Sequence, residues 1–340
     1  MDKKYTIWNN KGGTGKTSLA FQSITRYAEE HPEKRILAID VCPQANLSEL
    51  FLGGLNNKGS DKLLLIHNKA PRCSLGGYFQ LRLPSPYLMP QLNPKDFITK
   101  PYNFNSEIPE NIDLLCGDPL LELQANAVNS LANNNIPGTN TWISVVDWMN
   151  DFLDKVKDDY DLVFMDCNPS FSMYTQIALA ATDRIILPVM ADDSSRRAIQ
   201  NALSLIFGLN LPSAIYASYA FGSKLLEENR KLPKIHLIAK NRITQYMGSA
   251  SAYRAVLNTI ESDIKVLLKT NPDIFSFTNV ENGFVEIRDF QTTGVISFAK
   301  GLPFSKVQVG NQSIGRHRVQ VRKDYLENCK DAIGELTSKL

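Results

Sequence analysis

Ten residues near the start of the chain, Asn9-Asn10-Lys11-Gly12-Gly13-Thr14-Gly15-Lys16-Thr17-Ser18, narrow its architecture more than any other stretch. Glycines let a backbone pass close to a polyphosphate, and successive N–H groups at the start of a following helix add aligned donors and the positive dipole end. Such a loop works only between a strand and a helix. Tyr5-Thr6-Ile7-Trp8 before it is β-branched and aromatic, and Leu19, Ala20, Ser23, Ile24 and Tyr27 after it recur at helical spacing, so both neighbours are predicted. Gly12, Gly13, Thr14, Gly15, Lys16, Thr17 and Ser18 are therefore read as a nucleotide phosphate cradle, with Lys16 neutralising β- and γ-phosphate charge and Thr17 holding Mg²⁺. A glycine- and lysine-rich surface turn is the plain alternative, and it does not account for the flanking pattern.

The alternation of strand and helix continues. After a break at His31-Pro32, Arg35-Ile36-Leu37-Ala38-Ile39-Asp40 reads as a buried parallel strand ending in a carboxylate. Tyr160-Asp161-Leu162-Val163-Phe164-Met165-Asp166 is a second such strand, and it sets Asp166 where ligands gather in doubly wound sheets, outside the carboxyl ends of the strands. Residues 184–189 and 235–239 are further buried strands with a helix over about 195–207 between them, and a long helix is expected over 249–268. Trp142, Val145, Val146, Met149, Phe152, Leu153 and Val156 form one apolar stripe of an amphipathic helix, a core face. The expected fold is α/β, a mostly parallel twisted sheet with helices on both faces. Residues 1–340 are read as one domain, interrupted over about 53–110, where seven of the seventeen prolines fall between Pro71 and Pro109. Tyr78, Phe79, Tyr87, Phe97, Tyr102 and Phe104 argue against disorder, so this surface insertion is expected to pack on the body, with contact to a partner as the other reading.

Charge is unevenly spread. Residues 231–340 carry 16 Lys/Arg against 10 Asp/Glu, and between residues 305 and 323 there is no acidic side chain at all. The basic C-terminal part, about 284–340, suits a polyanion, and Arg288, Lys300, Arg316, Arg318, Arg322 and Lys323 are nominated for phosphate contacts; a solvated basic face is the plain alternative. Five cysteines without metal-ligand spacing argue against disulfides and zinc. No apolar run approaches the roughly 20 residues of a membrane-spanning helix, and Met1-Asp2-Lys3-Lys4 leads straight into a strand, so a cytoplasmic protein is expected. Tyr325, Leu326, Cys329, Ile333, Leu336 and Leu340 form a terminal helical stripe whose polar face carries Glu327, Asp331 and Glu335; anionic membranes would repel that face, so the helix is expected to dock on the body.

Several segments resemble the ParA/MinD family of P-loop ATPases. Lys11-Gly12-Gly13-Thr14-Gly15-Lys16-Thr17 is similar to that family's Lys-Gly-Gly-x-Gly-Lys-Thr loop, with Asn10 where the general P-loop pattern has glycine. Asp40, Pro43, Gln44 and Asn46 match its Asp-x-Asp-Pro-Gln-x-Asn motif, but Cys42 stands in place of the second aspartate. Asp166-Cys167-Asn168-Pro169-Ser170 resembles its Asp-Cys-Pro-Pro-Ser, departing at Asn168, and Ser297-Phe298-Ala299-Lys300-Gly301-Leu302-Pro303 its Ser-Phe-x-x-Gly-x-Pro turn. The resemblance implies a SIMIBI/ParA-like fold, ATP and Mg²⁺ as cofactors, and metal contacts through Thr17, Asp40 and Asp166. It also implies an ATP-dependent homodimer in which Lys11 reaches the partner's phosphates, with Lys11, Lys16, Asp40 and position 42 in catalytic roles and Asn241 at the adenine, a helix N-cap being the other reading of Asn241. Nonspecific DNA, a centromere-binding partner protein, plasmid or chromosome partition and a nucleoid-associated ATP state follow from the same likeness. Because a thiol is a poor substitute for a carboxylate, hydrolysis is expected to be slow or partner-dependent. The rival readings are a MinD-like positioning ATPase, a nonhydrolysing ATP-bound scaffold or adaptor, and an iron–sulfur reductase relative, for which the cysteine spacing gives no support.

Overall fold

Eight strands form one sheet in the computed structural model, which describes residues 1–243 and 251–340. In chain order they are β1 (Lys3–Ile7), β2 (Ile36–Val41), β3 (Ile98–Thr99), β4 (Ile112–Leu115), β5 (Leu162–Cys167), β6 (Arg184–Val189), β7 (Lys234–Ile243) and β8 (Phe284–Arg288). Their spatial order is β3-β4-β2-β5-β1-β6-β7-β8, parallel throughout except for β3 at the edge. Every residue of β2 and of β5 is buried, as a parallel strand covered on both faces requires. Side chains alternate across the sheet: Leu37, Ile39 and Val41 enter one apolar layer, Ile36 and Ala38 the other. The chain runs outward from β1 to β2 and β4, returns to β5, and then crosses to β6 on the other side of β1. That reversal leaves the carboxyl ends of β1, β2 and β5 facing one crevice.

Three stretches fold differently from their periodicity. Residues 53–110, expected as a surface insertion, contain the helices Gly59–His67 and Leu75–Arg82 and supply β3 to the sheet. Tyr78, Phe79 and Phe97 are buried, the Tyr78 hydroxyl donates to Trp148 O at 2.6 Å, and buried Arg82 pairs with Asp151 at 2.6 Å. Prolines and glycines broke the pattern, while aromatic side chains supplied enough burial to order it. The stripe from Trp142 to Val156 is two helices, Thr141–Val146 and Trp148–Val156, parted at Asp147, with the predicted face buried in both. Residues 297–300, the first part of the segment read as a turn, lie in the helix Gln291–Lys300, and the acid-free basic tract forms a hairpin of β9 (Gly310–Ile314) and β10 (His317–Val321). The helix expected over 249–268 is described from Ser251 to Thr270; Ser249 lies outside the described residues.

The last helix, Lys323–Thr337, buries Leu326, Cys329, Ile333 and Leu336 against the body, so its apolar stripe is already covered. No helix among the described residues is long and apolar enough to cross a membrane. Beside it, His236 of β7 donates from Nε2 to Lys339 O and accepts at Nδ1 from the Ser276 hydroxyl, both at 2.7 Å. Burial and then the neighbouring Arg184 charge hold this imidazole neutral, lowering its pKa from 6.5 to about 4. Between those values the unfolded chain binds a proton that the folded one refuses, so stability falls as pH drops through the window. Thermal unfolding midpoints should fall by on the order of 2–4 °C from pH 6.5 to pH 4 on account of this group, and the matched series for His236→Gln should lack that component.

Candidate active site

The loop predicted as a phosphate cradle joins β1 to the helix Lys16–Glu30. Gly13 and Gly15 take left-handed conformations, at φ 72° and 82°. Gly15 is required twice over, because a Cβ there would also lie 2.2 Å from the Asn241 amide nitrogen. Asn9 pins the loop's start, donating from Nδ2 to Pro188 O at 2.7 Å and accepting from the Lys11 N–H at 3.0 Å. Asn241 pins its end: Nδ2 donates to Thr14 O at 2.8 Å. Asn241 lies inside β7, which rules out the helix N-cap reading, and its side chain closes the wall between the loop and a neighbouring apolar cavity. Buried Asn10 Oδ1 and Thr14 Oγ1 have no hydrogen-bond partner among the described residues.

The two lysines of the loop are held in different places. Lys16 is buried, with Nζ donating to Lys11 O at 2.8 Å, and burial lowers its pKa while the Asp166 charge opposes that shift. Lys11 points away from the cradle, its Nζ 2.5 Å from Asp192 Oδ2, 2.7 Å from Asp192 Oδ1 and 3.2 Å from the Ser195 hydroxyl. Asp192 caps the helix Asp193–Phe207 through the Ser195 N–H. Burial raises its pKa, but the hydrogen bonds from Lys11, Ser194 and Ser195 outweigh that and hold it at about 2. Asp192 and Ser195 were not singled out from sequence, although Asp-Asp-Ser-Ser after a strand is a helix-start signature.

Asp40 and Asp166 face each other in register on β2 and β5. Asp40 is fully buried and uses three of its acceptor positions locally, taking the Cys42 N–H at 3.1 Å, the Ser48 N–H at 2.9 Å and the Ser48 hydroxyl at 2.8 Å. It thereby clamps the segment from residue 40 to residue 48, and burial raises its pKa to about 6 against those bonds. Asp166 is different: both its oxygens are buried without a hydrogen-bond partner among the described residues. Burial and then the Asp40 charge push its pKa up to about 8, with Thr17 and Lys16 pulling the other way. Two unpaired carboxylate oxygens beside the Thr17 hydroxyl fit a hard divalent cation such as Mg²⁺, whose charge would reverse that shift.

Cys42 lines the cavity above the loop with Gln44, Asn168 and Ser170. Burial and then the Asp40 charge push its thiol up to about 12, so it stands there as a neutral, weak hydrogen-bonding group. This cavity is about 480 Å³, and it shares Gly15, Ser18, Asn46 and Arg242 with a second of about 670 Å³. The second is lined by Asn241, Asp289, Phe290, Val295 and Phe298, a surface suited to a flat apolar ring with a polar edge. The nominated basic residues lie elsewhere. Arg316 and Arg318 are exposed on the β9–β10 hairpin, Arg288 is exposed at the end of β8, and Lys323 is exposed at the start of the last helix. Lys300 donates to Gln312 Oε1 at 2.7 Å, and Arg322 pairs with Asp324 at 2.7 Å, so part of its charge is spent on the chain itself.

A model of a family described as an AAA domain matches residues 2–210. The chain is 27% identical over 205 residues to an uncharacterised Pseudomonas putida protein, an alignment covering 56% of this chain and 57% of that one. It is 24% identical over 188 residues to plasmid partition protein A of Escherichia coli, covering 54% of this chain and 41% of the relative. The chain thus spans about half the length of the curated relatives it matches. The structure of apo McdA from Cyanothece superposes with a TM-score of 0.60 at 15% identity, covering 98% of this chain and 99% of that one. A McdA–ATP complex matches at 0.59 and 15% identity, covering 98% and 96%.

Proposed function

From the premise that this chain belongs to the AAA domain family and has the fold of ParA-type P-loop ATPases, we propose an ATP-dependent dimerising ATPase that binds nonspecific DNA in its ATP state. In this reading it acts in plasmid or chromosome partition together with a centromere-binding partner protein. The observation that carries the reading is the placement of the two lysines. Lys16 lies inside its own cradle, whereas the Lys11 ammonium sits outside it on Asp192, where a second protomer's phosphates could take it over. Residues 12–18 would hold the triphosphate, with Thr17 and Asp166 at Mg²⁺, Asp40 holding the adjoining segment and Asn241 bordering the base. Bound Mg²⁺ would supply charge neutralisation at the β- and γ-phosphates.

Two protomers joined through ATP would set two copies of Arg288, Lys300, Arg316, Arg318, Arg322 and Lys323 on one duplex. Each phosphate contact adds a counterion-release term, and the second face binds at the effective concentration set by the first. The test is binding to nonspecific duplex DNA with Mg²⁺ and ATP against Mg²⁺ and ADP, read together with complex mass. Salt-sensitive binding by a dimer only with ATP is expected; a dimer that ignores DNA would move the function to a protein partner. A membrane-positioning role like that of MinD is less well supported, because the apolar stripe of the last helix is buried against the body and not presented to a membrane.

Dimerisation should also depend on how firmly Lys11 is held. Its ion pair with Asp192 is partly exposed, the two side chains being 22% and 39% accessible, so each is worth about 0.5–1 kcal/mol. Asp192→Asn keeps a helix cap and drops the charge. With one latch per protomer, the variant should dimerise in ATP at roughly 5- to 30-fold lower protein concentration in sedimentation analysis. An unchanged midpoint would mean that Lys11 is not recruited from this position.

A further inference from the structure

The cavity over the loop has lost the carboxylate at position 42, yet one of its lining side chains does carry a carboxylate: Glu122. Asp40 and Asp166 stand behind the wall of this cavity, the first engaged by Ser48 and Cys42, the second beside Thr17. Glu122 instead opens into it from the first turn of the helix Leu120–Ala132, facing the phosphate loop together with Cys42, Gln44 and Asn168.

A directed series of hydrogen bonds leads to it and ends in one long contact. The Ser170 hydroxyl and the Thr175 hydroxyl donate to Asn168 Oδ1 at 2.9 and 3.1 Å. Asn168 Nδ2 donates to the Tyr174 hydroxyl at 2.8 Å, which in turn donates to Glu122 Oε2 at 3.5 Å. Tyr174 is buried on the helix Met173–Ala180, which packs against Leu120–Ala132, so the last donor is fixed by two packed helices. The series leaves Oε1 without a partner among the described residues, and it runs through Asn168, one of the two positions at which the chain departs from the family's pattern. Proline at 168 could make none of these three side-chain amide contacts.

We propose that Glu122 is the group that orients and deprotonates the attacking water in this site, in place of a carboxylate at position 42; the inference rests on the ATPase reading. The water oxygen bonds to the γ-phosphorus, the bond from that phosphorus to the β–γ bridging oxygen breaks, and the proton passes to the Glu122 carboxylate and then to solvent, leaving ADP and inorganic phosphate. Tyr174 and Asn168 are positioning residues for it.

The experiment measures ATP affinity by titration and phosphate release in a single turnover for the full chain, Glu122→Gln, Glu122→Asp and Glu122→Gln combined with Cys42→Asp. Glu122→Gln should keep ATP affinity within about 2-fold and slow phosphate release by on the order of 100-fold. Glu122→Asp should keep part of the rate, and the added carboxylate at position 42 should restore most of it. A purely structural Glu122 would show neither pattern of recovery. Release at the full rate from Glu122→Gln overturns the proposal, as does a loss that Cys42→Asp does not repair, or a full chain that binds ATP without cleaving it. A chain that fails to bind ATP at all overturns the underlying reading instead, and the titration identifies that case separately.

Discussion

Lys16→Ala should weaken ATP binding by on the order of 100-fold while leaving the fold in place. Lys16 is 7% exposed, its aliphatic stem is packed at the start of the first helix, and its ammonium is the one buried cation among the described residues that line the cavity above the loop. Burial already lowers its pKa, so it stands partly desolvated and gains more from a phosphate than an exposed lysine would. Among the described residues its one side-chain hydrogen bond goes to Lys11 O, an acceptor on a partly exposed loop that water can serve once the side chain is gone. Stability should therefore change little, and the loss should appear in calorimetric titration with Mg²⁺ and ATP. Binding within a few-fold of the unaltered chain would show that the loop is not the phosphate site. Lys11→Ala is the contrasting control: its ammonium lies on Asp192, outside the cradle, so monomer affinity should be nearly retained and the ATP-driven dimer lost.

Cys42→Asp should raise the single-turnover rate by about 10- to 100-fold. The backbone at position 42 is already set, since its N–H is bonded to Asp40 Oδ1 and the segment is clamped again at Ser48. The substitution therefore changes the functional group and not its place. The thiol, pushed up to about 12, offers no anion at neutral pH, whereas a carboxylate there would line the cavity above the loop from the end of β2. The gain on top of Glu122 is expected because position 42 belongs to a fixed strand end, while Glu122 lies on an exposed first helical turn. A carboxylate at 42 also joins Asp40 and Asp166, so without Mg²⁺ and nucleotide the variant should unfold more readily at high pH than the unaltered chain. An equal or slower rate would sink the assignment of position 42 to the hydrolytic step.

Local signals were sufficient for much of this protein. The strand–loop–helix around Lys16 was legible because the glycine spacing, the β-branched run before it and the helical spacing after it are all short-range properties. The buried strands ending at Asp40 and Asp166 were legible for the same reason, as continuous apolar runs closed by a carboxylate. The aromatic residues of 53–110 announced that the segment packs, but its helices and edge strand were not legible, because the packing of Tyr78 against Trp148 and of Arg82 against Asp151 joins positions about seventy apart, and no periodicity within the segment records it. The hairpin at 310–321 was hidden in a tract read only for its charge.

Chemistry by type was thus settled in the sequence: which residues could cradle a phosphate, and which carboxylates end strands. Placement was settled by the sheet order. Because β5 returns between β1 and β2, Asp166 comes into register with Asp40, and because β6 then lies beyond β1, Asp192 comes within reach of Lys11. Glu122, Tyr174 and Asn168 meet only where two helices pack above the same strand ends. Residue identity sets what a side chain can donate, accept or neutralise; which partners it finds depends on contacts between distant segments, and those exist only in the folded chain.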